Sequence, residues 1–569
     1  MKIAAPLRMV RFPVSCLRGK VLPARVQVNG EAAIVGGGST FASRFVSSRP
    51  GSVRLASARE HAMIARMVKA AAALLLLTAA TPPQVALPGP QAISESDKAA
   101  GAKADPELSA EFGGVYDGPQ AALVRQVGAK VAAQSGIARA ERDFSFKLLN
   151  SAVPNAFAIP GGYVYATRAL LALMNDEAEL AFVLGHETGH ITGRHSEKRQ
   201  KVVQRDVLLG TLGQTVLGAI LGNGAVGQIG GQLGQAGIQR LVVGDVMHHS
   251  RSEEFEADDF GIAHMERAGY DGTASSDILG SLAAQAALDA KVTGTARTTP
   301  SWAMSHPEPA ARVARSLERA RALGGFRAPR KGDAFLLSLK GMIFGDDPEQ
   351  GVIEERTFKY PPGRIQFTAP AGYGMANRSD AVIVSATGGG TGNARFAGGR
   401  YDGNLPAMLD RVFASLNSGK GGPAITPTRF TVNGLEAVMA TAAASDSSGK
   451  PLDATAVAVA ATPTMAYTFA VLQPRGRGLG DLAPLVNSVR RMSEAEAAAI
   501  RPRVIDVVTV GRRDTVATMA ARMAYPDLQT ERFLVLNGLP AGTTRLAAGR
   551  KVKLVVWGSG PVPSAAKTP

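Results

Sequence analysis

Cysteine is almost absent from this chain: Cys16 is the only one in 569 residues. One cysteine cannot form a disulfide within the chain, and it cannot build a zinc site from several thiolate ligands. A disulfide framework and a cysteine-ligated zinc site are therefore both excluded within one chain.

Excess positive charge is confined to the N-terminal segment. The net charge is +16, but residues 1–69 hold twelve Lys and Arg against two Asp and Glu. They account for +10, which leaves only +6 for the other 500 residues. No later stretch clusters basic side chains with aromatic ones, as a surface that follows phosphates requires. We therefore expect no nucleic acid partner.

The rest of the composition is that of a folded protein with several domains. Hydrophobic residues make up 45% and charged residues 19%, which is enough apolar material for real cores and too little charge for a disordered chain. The length allows about three or four domains. The pattern of helices and strands along the chain predicts an α+β multidomain protein.

Residues 63–80 have the pattern of a secretory signal peptide. Arg66 and Lys69 precede an apolar run over 70–80 that ends in small residues, and this run is too short to span a bilayer as a helix. We expect cleavage after Ala80 or shortly beyond it. The location predicted for the mature protein is the periplasm or cell envelope.

The segments on either side of this pattern are also interpretable. Because a signal peptide works at an N-terminus, residues 1–62 are predicted to be a mis-assigned start or a disordered extension, with Met63 or Met67 as the true start. A buried apolar helix and an organelle-type transit sequence remain alternatives. Residues 81–105 are rich in Pro, Ala, Gly and Ser and predict a linker.

The strongest chemical signal is the segment His186-Glu187-Thr188-Gly189-His190. Two histidines four residues apart on a helix lie about 40° apart around its axis, so both rings can face one metal ion. Zinc is the expected metal, with Glu187 placed to take a proton from the water that the ion activates. The preceding Asp176, followed by Glu179, predicts a helix N-cap and an acidic first turn.

A second acidic stretch can complete the site. Ser250 opens a predicted helix that runs through Arg267 and carries Glu254 and Asp258 at positions i and i+4. One carboxylate can bind the metal while the other accepts a ring N–H from a ligating histidine. Alone, such a stretch is more often a solvated helix face. After the two histidines, a metal-binding role is favoured.

These motifs together resemble the M48 family of zinc metallopeptidases, particularly its periplasmic bacterial branch. The resemblance covers roughly residues 106–325 and rests on four segments in the family's order. They are 155–165 (NAFAIPGGYVY), 186–190 (HETGH), 250–258 (SRSEEFEAD) and 305–307 (SHP) with Arg312. The implied fold is a mainly helical gluzincin-type domain with a small sheet, whose edge strand, matched by residues 155–167, borders the cleft.

The resemblance implies a role for each matching residue, and one Zn²⁺ per chain. His186, His190 and Glu254 match the metal ligands, Glu187 the general base and Asp258 the supporting carboxylate. His306 matches a loop histidine that, in some periplasmic members, occupies the open position of the metal. Whether it caps the metal or stabilises the transition state stays open. Substrate binding is assigned to Asn155, Gly162, Tyr163, Tyr165 and Arg312.

Three further features near the motifs have weaker interpretations. His195 lies about half a turn from His186 on a continued helix, so we expect a structural or surface residue rather than a ligand. His248 and His249 are expected in a loop beside the metal-bearing helix. Residues 201–247, rich in Gly, Leu, Val and Gln, predict close-packed helices over the cleft, with peripheral membrane contact as the alternative.

Two regions follow the peptidase-like segment. Residues 333–500 predict a mixed α+β domain of unknown role. Residues 503–558 resemble a LysM module, a small βααβ fold that in many envelope proteins binds glycans. Arg513 replaces the glycine usual in that family, so weak or no glycan binding is expected, and a folded cap without ligand is the alternative. Because every candidate metal ligand precedes residue 313, this module is expected to be separable from catalysis.

The leading hypothesis is a periplasmic zinc endopeptidase that cleaves extended or misfolded envelope proteins. The alternative is an envelope assembly chaperone whose zinc site is largely latent and closed by His306. A wall-binding protein with a vestigial peptidase is disfavoured because no catalytic residue is missing. Polypeptide substrates, the outer-membrane assembly machinery and peptidoglycan are the candidate partners.

Overall fold

A computed structural model describes residues 91–198, 249–293, 306, 309–324, 328–378, 380–416, 425–446 and 449–559. The predicted signal peptide, the segment before it and the region 201–247 lie outside these residues. Among the described residues, no helix combines the length and the apolar character needed to cross a bilayer.

The peptidase-like part is mainly helical, with one small sheet. Its helices and strands are α1 (Glu95–Glu111), α2 (Pro119–Ala132), α3 (Ala140–Asp143), β1 (Ser145–Leu149), β2 (Ala156–Ile159), β3 (Tyr163–Thr167), α4 (Arg168–Leu173), α5 (Glu177–Thr192), α6 (Arg251–Arg267), α7 (Ala274–Thr293) and α8 (Pro309–Leu323).

The small sheet has the order β1-β3-β2, with β3 parallel to β1 and antiparallel to β2. The segment expected to be one edge strand is therefore a hairpin. Gly161 and Gly162 form its turn with positive φ angles of 93° and 91°, which glycine adopts without steric cost. The edge strand is β2, and Tyr163 and Tyr165 lie on the central strand.

Helix α1 covers one face of this sheet. Its presence shows that the linker predicted over 81–105 is wrong for the residues that form the helix. Its residues 95–105 fall in the segment assigned to a linker, but Ser94 caps the helix by accepting from the backbone N–H of Asp97. Asp105 on α1 accepts from the Tyr165 hydroxyl at 2.8 Å and from Lys147 at 2.6 Å. These contacts attach α1 to the sheet.

The next region is a mixed α+β domain built around an antiparallel sheet of seven strands, in the order β11-β12-β13-β14-β10-β9-β8. The same region contains a second sheet of four strands, in the order β15-β7-β6-β5. The elements are β5 (Val352–Glu354), β6 (Thr357–Tyr360), β7 (Ile365–Thr368), β8 (Tyr373–Asn377), β9 (Val382–Ala386), β10 (Asn393–Arg400), α10 (Leu405–Leu416), β11 (Thr428–Val432), β12 (Leu435–Ser445), β13 (Pro451–Thr462), β14 (Met465–Pro474), α11 (Ala483–Asn487), β15 (Arg490–Arg491) and α12 (Glu494–Ala498).

The C-terminal region has the predicted strand-helix-helix-strand order. It consists of β16 (Arg503–Thr509), α13 (Val516–Ala520), α14 (Gln529–Leu536) and β17 (Lys551–Trp557). A short strand β4 (Ile343–Phe344), which follows α9 (Gly332–Ser338), pairs with β16 as the third strand of this sheet. The start of the middle domain at residue 333 therefore needs correction, since α9 and β4 pack with the C-terminal region.

One hydrophobic core joins the peptidase-like helices to this C-terminal region. It contains buried side chains of α2, α4, α5 and α7 together with those of α9, β16, α13, α14 and β17. Lys553 on β17 is buried and donates to the backbone carbonyls of Ala172 and Met174 at 2.6 Å and 2.5 Å. The middle domain has its own clusters, centred on residues such as Phe469. The expected separability of the C-terminal module does not agree with this shared core.

Candidate active site

Helix α5 carries the two histidines of the motif. Asp176 caps it by accepting from the backbone N–H of Glu179 at 2.9 Å, as the sequence predicts. A carboxylate at this end also interacts favourably with the helix dipole. Almost every residue of α5 is buried, including His186 and His190, so the ligands lie inside the protein.

Helix α6 supplies the carboxylates. Ser250 and Glu253 form a reciprocal capping box at its start, and the helix ends at Arg267, where the sequence places both boundaries. Glu254 and Asp258 are fully buried on it. A defined start fixes the rotation of the helix and therefore the direction of both carboxylates.

Glycines let α5 and α6 approach closely enough for these ligands to meet. A Cβ atom added to Gly185 would lie 3.0 Å from the carbonyl oxygen of Gly261, and one added to Gly189 would lie 3.0 Å from that of Ala257. Both separations are tighter than ordinary van der Waals contact. Gly185 and Gly189 are four residues apart on one face of α5, a spacing that the sequence shows but that the motif alone does not explain.

Nitrogen and oxygen atoms of four residues converge at one point between the helices. His186 Nε2 lies 3.1 Å from His190 Nε2 and 3.6 Å from Glu254 Oε2. His190 Nε2 lies 3.4 Å from Glu254 Oε1. His306 Nδ1 completes the set at 3.2 Å from His186 Nε2 and 3.0 Å from Glu254 Oε1.

This donor set fits zinc. Zinc bonds of about 2.0–2.1 Å to nitrogen and oxygen in a tetrahedron separate neighbouring ligand atoms by about 3.3–3.4 Å, and the donor separations of 3.0–3.6 Å lie around that value. Three imidazoles and one carboxylate are also ligands that zinc accepts.

Glu187 faces the same point, with no hydrogen-bond partner among the described residues. Both of its carboxylate oxygens are buried and accept no hydrogen bond from the described residues. The ring of His306 is close to it, with Nε2 3.5 Å from Glu187 Oε1. A buried carboxylate without donors is costly unless it has a task, and a proton acceptor beside a metal site is such a task.

Asp258 and Arg312 hold the ligands from behind. Asp258 Oδ1 lies 3.0 Å from His186 Nδ1, so the ring N–H donates to the carboxylate when Nε2 faces the metal position, as the sequence predicts. The buried guanidinium of Arg312 donates from Nε to Asp258 and from Nη1 to Glu254, at 2.8 Å and 2.5 Å. The substrate contact assigned to Arg312 therefore does not fit its position, because its donors point at two carboxylates of the site.

The electrostatics of the site follow from burial and from these pairs. Burial raises the pKa of Glu187, which favours its role as a proton acceptor. Burial also opposes charge on Glu254, but His306 and His186 outweigh it and hold the pKa of Glu254 far below its usual range. For Asp258, burial is opposed by Arg312, and the pKa is lowered. Both carboxylates are therefore ionised, so that Glu254 can bind a metal ion and Asp258 can accept the ring N–H of His186.

The residues assigned to substrate binding lie in different places. Tyr165 is fully buried beneath α1 and its hydroxyl bonds to Asp105, so its ring does not border the metal position. Tyr163 lies on the same face, where it crowds Gly101 of α1. Gly162 sits in the hairpin turn against the Asp143 carbonyl. Asn155 precedes β2 directly, at the end of the hairpin that is nearest the site.

The histidines with weak sequence interpretations also lie at the site. His195 is fully buried and its Nδ1 lies 2.7 Å from His190 Nδ1, so of the two expected positions, structural or surface, its burial fits the structural one. Helix α5 ends at Thr192, which invalidates a helical projection to residue 195. His249 precedes the cap of α6, and its ring stacks on His190 with 3.7 Å between centroids, whereas His248 lies outside the described residues.

Comparison with known proteins assigns this arrangement to a family. The model of peptidase family M48 matches residues 119–320, the part of the chain that holds every residue of the donor set. Residues 119–320 therefore form a domain of peptidase family M48. The family match ends before the middle domain and the C-terminal region, so the resemblance of residues 503–558 to LysM stays a prediction.

The proteins to which the chain is similar include bacterial and mitochondrial ones. The beta-barrel assembly-enhancing protease of Yersinia pestis is 29% identical over 266 residues, which cover 46% of this chain and 51% of that protein. A putative protein of the same name from Vibrio cholerae is 31% identical, covering 31% and 35%. The mitochondrial metalloendopeptidase OMA1 of Schizosaccharomyces pombe is 28% identical, covering 32% and 50%. The chain thus spans about half or less of the length of these relatives.

Proposed function

We propose that this protein is a zinc-dependent endopeptidase of the bacterial envelope that hydrolyses extended or misfolded polypeptide segments. The observation that carries the proposal is the buried donor set of His186, His190, Glu254 and His306. Beside it lies the carboxylate of Glu187, which accepts no hydrogen bond from the part of the chain that the structure describes. When bound, zinc supplies a Lewis acid that polarises the scissile carbonyl and lowers the pKa of the attacking water.

The chain's own residues supply the remaining chemistry. Glu187 accepts the proton of the attacking water and passes it to the leaving amine nitrogen. Asp258 keeps the His186 ring in the tautomer that leaves Nε2 free, and Arg312 fixes the carboxylates of Glu254 and Asp258. The rigid surroundings mean that little reorganisation accompanies the reaction.

The edge strand β2 favours an extended substrate. Within the described residues, Ala156–Ile159 has β3 as its single strand neighbour, so its other side can pair with a peptide backbone. His306 Nε2 lies 3.3 Å from the Ala156 carbonyl oxygen, and this contact supports a substrate position along β2. A cleft beside His190 has mixed lining, with the apolar side chains of Ile137, Ile159 and Ile191 next to polar and charged ones. Its apolar part suits a hydrophobic side chain of an unfolded segment.

The envelope location and the partners are supported more indirectly. Several relatives are named beta-barrel assembly-enhancing proteases, and the signal-peptide pattern over 63–80 agrees with export. A beta-barrel assembly machinery and its misassembled clients are the partners that these names suggest for our chain. Mass analysis of protein from its native host tests the export, because the mature chain should begin after Ala80 or shortly beyond.

A second candidate function follows from His306. Its Nδ1 belongs to the donor set, so a ring there occupies the coordination position that an attacking water needs. This favours an assembly factor whose peptidase activity is latent until the histidine leaves. In that case the native chain binds zinc but cleaves poorly, and displacement of His306 releases the activity.

Replacing Glu187 tests the proposal directly. Glu187→Gln removes the proton acceptor and none of the donor atoms, so zinc should be retained while cleavage of an unfolded protein falls at least about 100-fold. Glu318→Gln, an exposed change on α8, is the matched control and should cleave like the native chain. Native-rate cleavage by Glu187→Gln would reject the mechanism, and a native chain that binds no zinc would reject the enzyme.

A further inference from the structure

His195 reaches the metal ligands because the chain reverses at the end of α5. The helix stops at Thr192, Gly193 forms its C-cap, and Arg194 takes a left-handed conformation with φ of 54°. The ring of His195 then folds back against Gly193. A Cβ atom on Gly193 would lie 2.5 Å from His195 Nε2, so a side chain there would displace the ring.

The folded-back ring links a metal ligand to a carboxylate on α6. His195 Nδ1 lies 2.7 Å from His190 Nδ1, and His195 Nε2 lies 3.2 Å from Glu256 Oε2. Glu256 also accepts from the ammonium group of Lys198 at 3.2 Å. The side chain of His195 is completely buried, while Glu256 is 43% exposed.

In the hydrogen-bond series from His190 through His195 to Glu256, one placement of the ring hydrogens gives every bond a donor and an acceptor. His190 Nε2 faces the other donor atoms, so its ring hydrogen is on Nδ1 and donates to His195 Nδ1. His195 must then carry its own hydrogen on Nε2, which donates to the Glu256 carboxylate. Each bond fixes the tautomer of the next ring.

We propose that His195 and Glu256 are positioning residues that orient His190 for metal binding. This inference rests on the proposed zinc site. Metal-binding histidines generally donate their second ring N–H to a fixed acceptor, which orients the ring and raises its basicity. Asp258 does this for His186, and His195 does it for His190, with Glu256 holding His195 from the same helix that carries Glu254 and Asp258.

The test measures zinc affinity of the full chain by competition with a chromophoric chelator. His195→Ala should bind zinc about 10–100-fold more weakly than the native chain, the usual effect of removing such a partner. His195→Asn keeps an acceptor near the position of Nδ1, so its affinity should return to within about threefold of native on the same reasoning. Glu256→Gln retains an acceptor oxygen and should weaken binding less than His195→Ala.

Two further measurements separate positioning from packing. Glu197→Gln, a partly exposed neighbour that pairs with Arg194, is the matched control and should bind zinc normally. In cobalt-substituted protein, the visible absorption bands should shift in His195→Ala and stay unchanged in Glu197→Gln, because the ring of His190 is no longer held.

The outcomes distinguish this inference from the proposed function. Native zinc affinity in His195→Ala overturns the positioning role while leaving the enzyme intact. If His195→Asn binds zinc as weakly as His195→Ala, the positioning role is also overturned, since loss of packing would then be the cause. If His195→Ala does not fold by circular dichroism, His195→Asn and Glu256→Gln decide between the same alternatives. A native chain without zinc rejects the proposed function itself.

Discussion

Phe533 offers a test of whether the C-terminal region is part of the peptidase. Its side chain is fully buried on α14 in the core that also contains α4, α5 and α7. Replacement of a buried Phe by Ala costs about 3–5 kcal/mol, from lost transfer free energy and from the cavity left behind. For a cooperative unit of 150–250 residues, this corresponds to a fall of roughly 6–20 °C in melting temperature.

The location of the effect matters more than its size. Because one core joins α14 to α5, we expect Phe533→Ala to increase hydrogen exchange in peptides that cover the metal-binding helix 177–192. Phe469→Ala is the matched control: Phe469 is equally buried, but in the separate cluster of the seven-stranded sheet. It should destabilise by a similar amount and leave the exchange of α5 unchanged.

Hydrogen exchange with mass spectrometry reads both variants peptide by peptide. The reasoning is refuted if Phe533→Ala opens residues 503–557 while α5 keeps its native protection, since the two regions would then unfold independently. A chain cut after residue 502 gives a second reading, because it should fail to fold or to cleave, contrary to the separability that the sequence suggests.

Two other substitutions should change activity or stability in a direction that the structure predicts. His306→Ala should raise basal proteolysis, because its Nδ1 lies within the donor set; a sharp fall, measured on an unfolded protein, would instead show that it stabilises the transition state. Burial and the neighbouring Asp271 raise the pKa of Glu266 to about 7, above the usual 4.5, so its stabilising contribution is complete below pH 4.5 and is lost as pH rises through 7. Glu266→Gln should therefore increase the free energy of unfolding by roughly 1–2 kcal/mol at pH 8, after allowance for partial exposure, and by almost nothing at pH 4. Denaturant titrations at the two pH values check this, and an equal gain at both would contradict it.

The ligands could be identified from the sequence because their chemistry is local. The motif at 186–190, the cap at Asp176 and the capping box at Ser250 each depend on residues within about one helical turn. The structure places these helix ends where the sequence predicts them. The i, i+4 spacing of Glu254 and Asp258 likewise requires only a helix.

Interactions that cross between elements could not be found in this way. A projection that continues α5 puts His195 on the wrong side, since it ignores the reversal at Gly193 and Arg194. The pairing of Arg312 with Asp258 joins residues 54 apart in the chain. The resemblance implies one edge strand over 155–167, whereas the structure has a hairpin of two strands. Pro160-Gly161-Gly162 is the turn signal that could have indicated it. The shared core could not be predicted, because an apolar pattern indicates which side chains are buried but not which element they pack against.

Helix α5 is fixed at both ends by parts of the chain that carry no metal ligand. At its N-terminal end, Arg330 donates to Asp176 at 2.7 Å, and Lys553 donates to the carbonyls of Ala172 and Met174 at the end of the preceding helix α4. At its C-terminal end, His195 holds His190. Because a metal site tolerates only small displacements of its ligands, substitutions more than 350 residues beyond His186 can weaken it without contacting it. Loss of function in C-terminal variants is therefore not by itself evidence for a glycan-binding role, and zinc affinity must be measured before one is inferred.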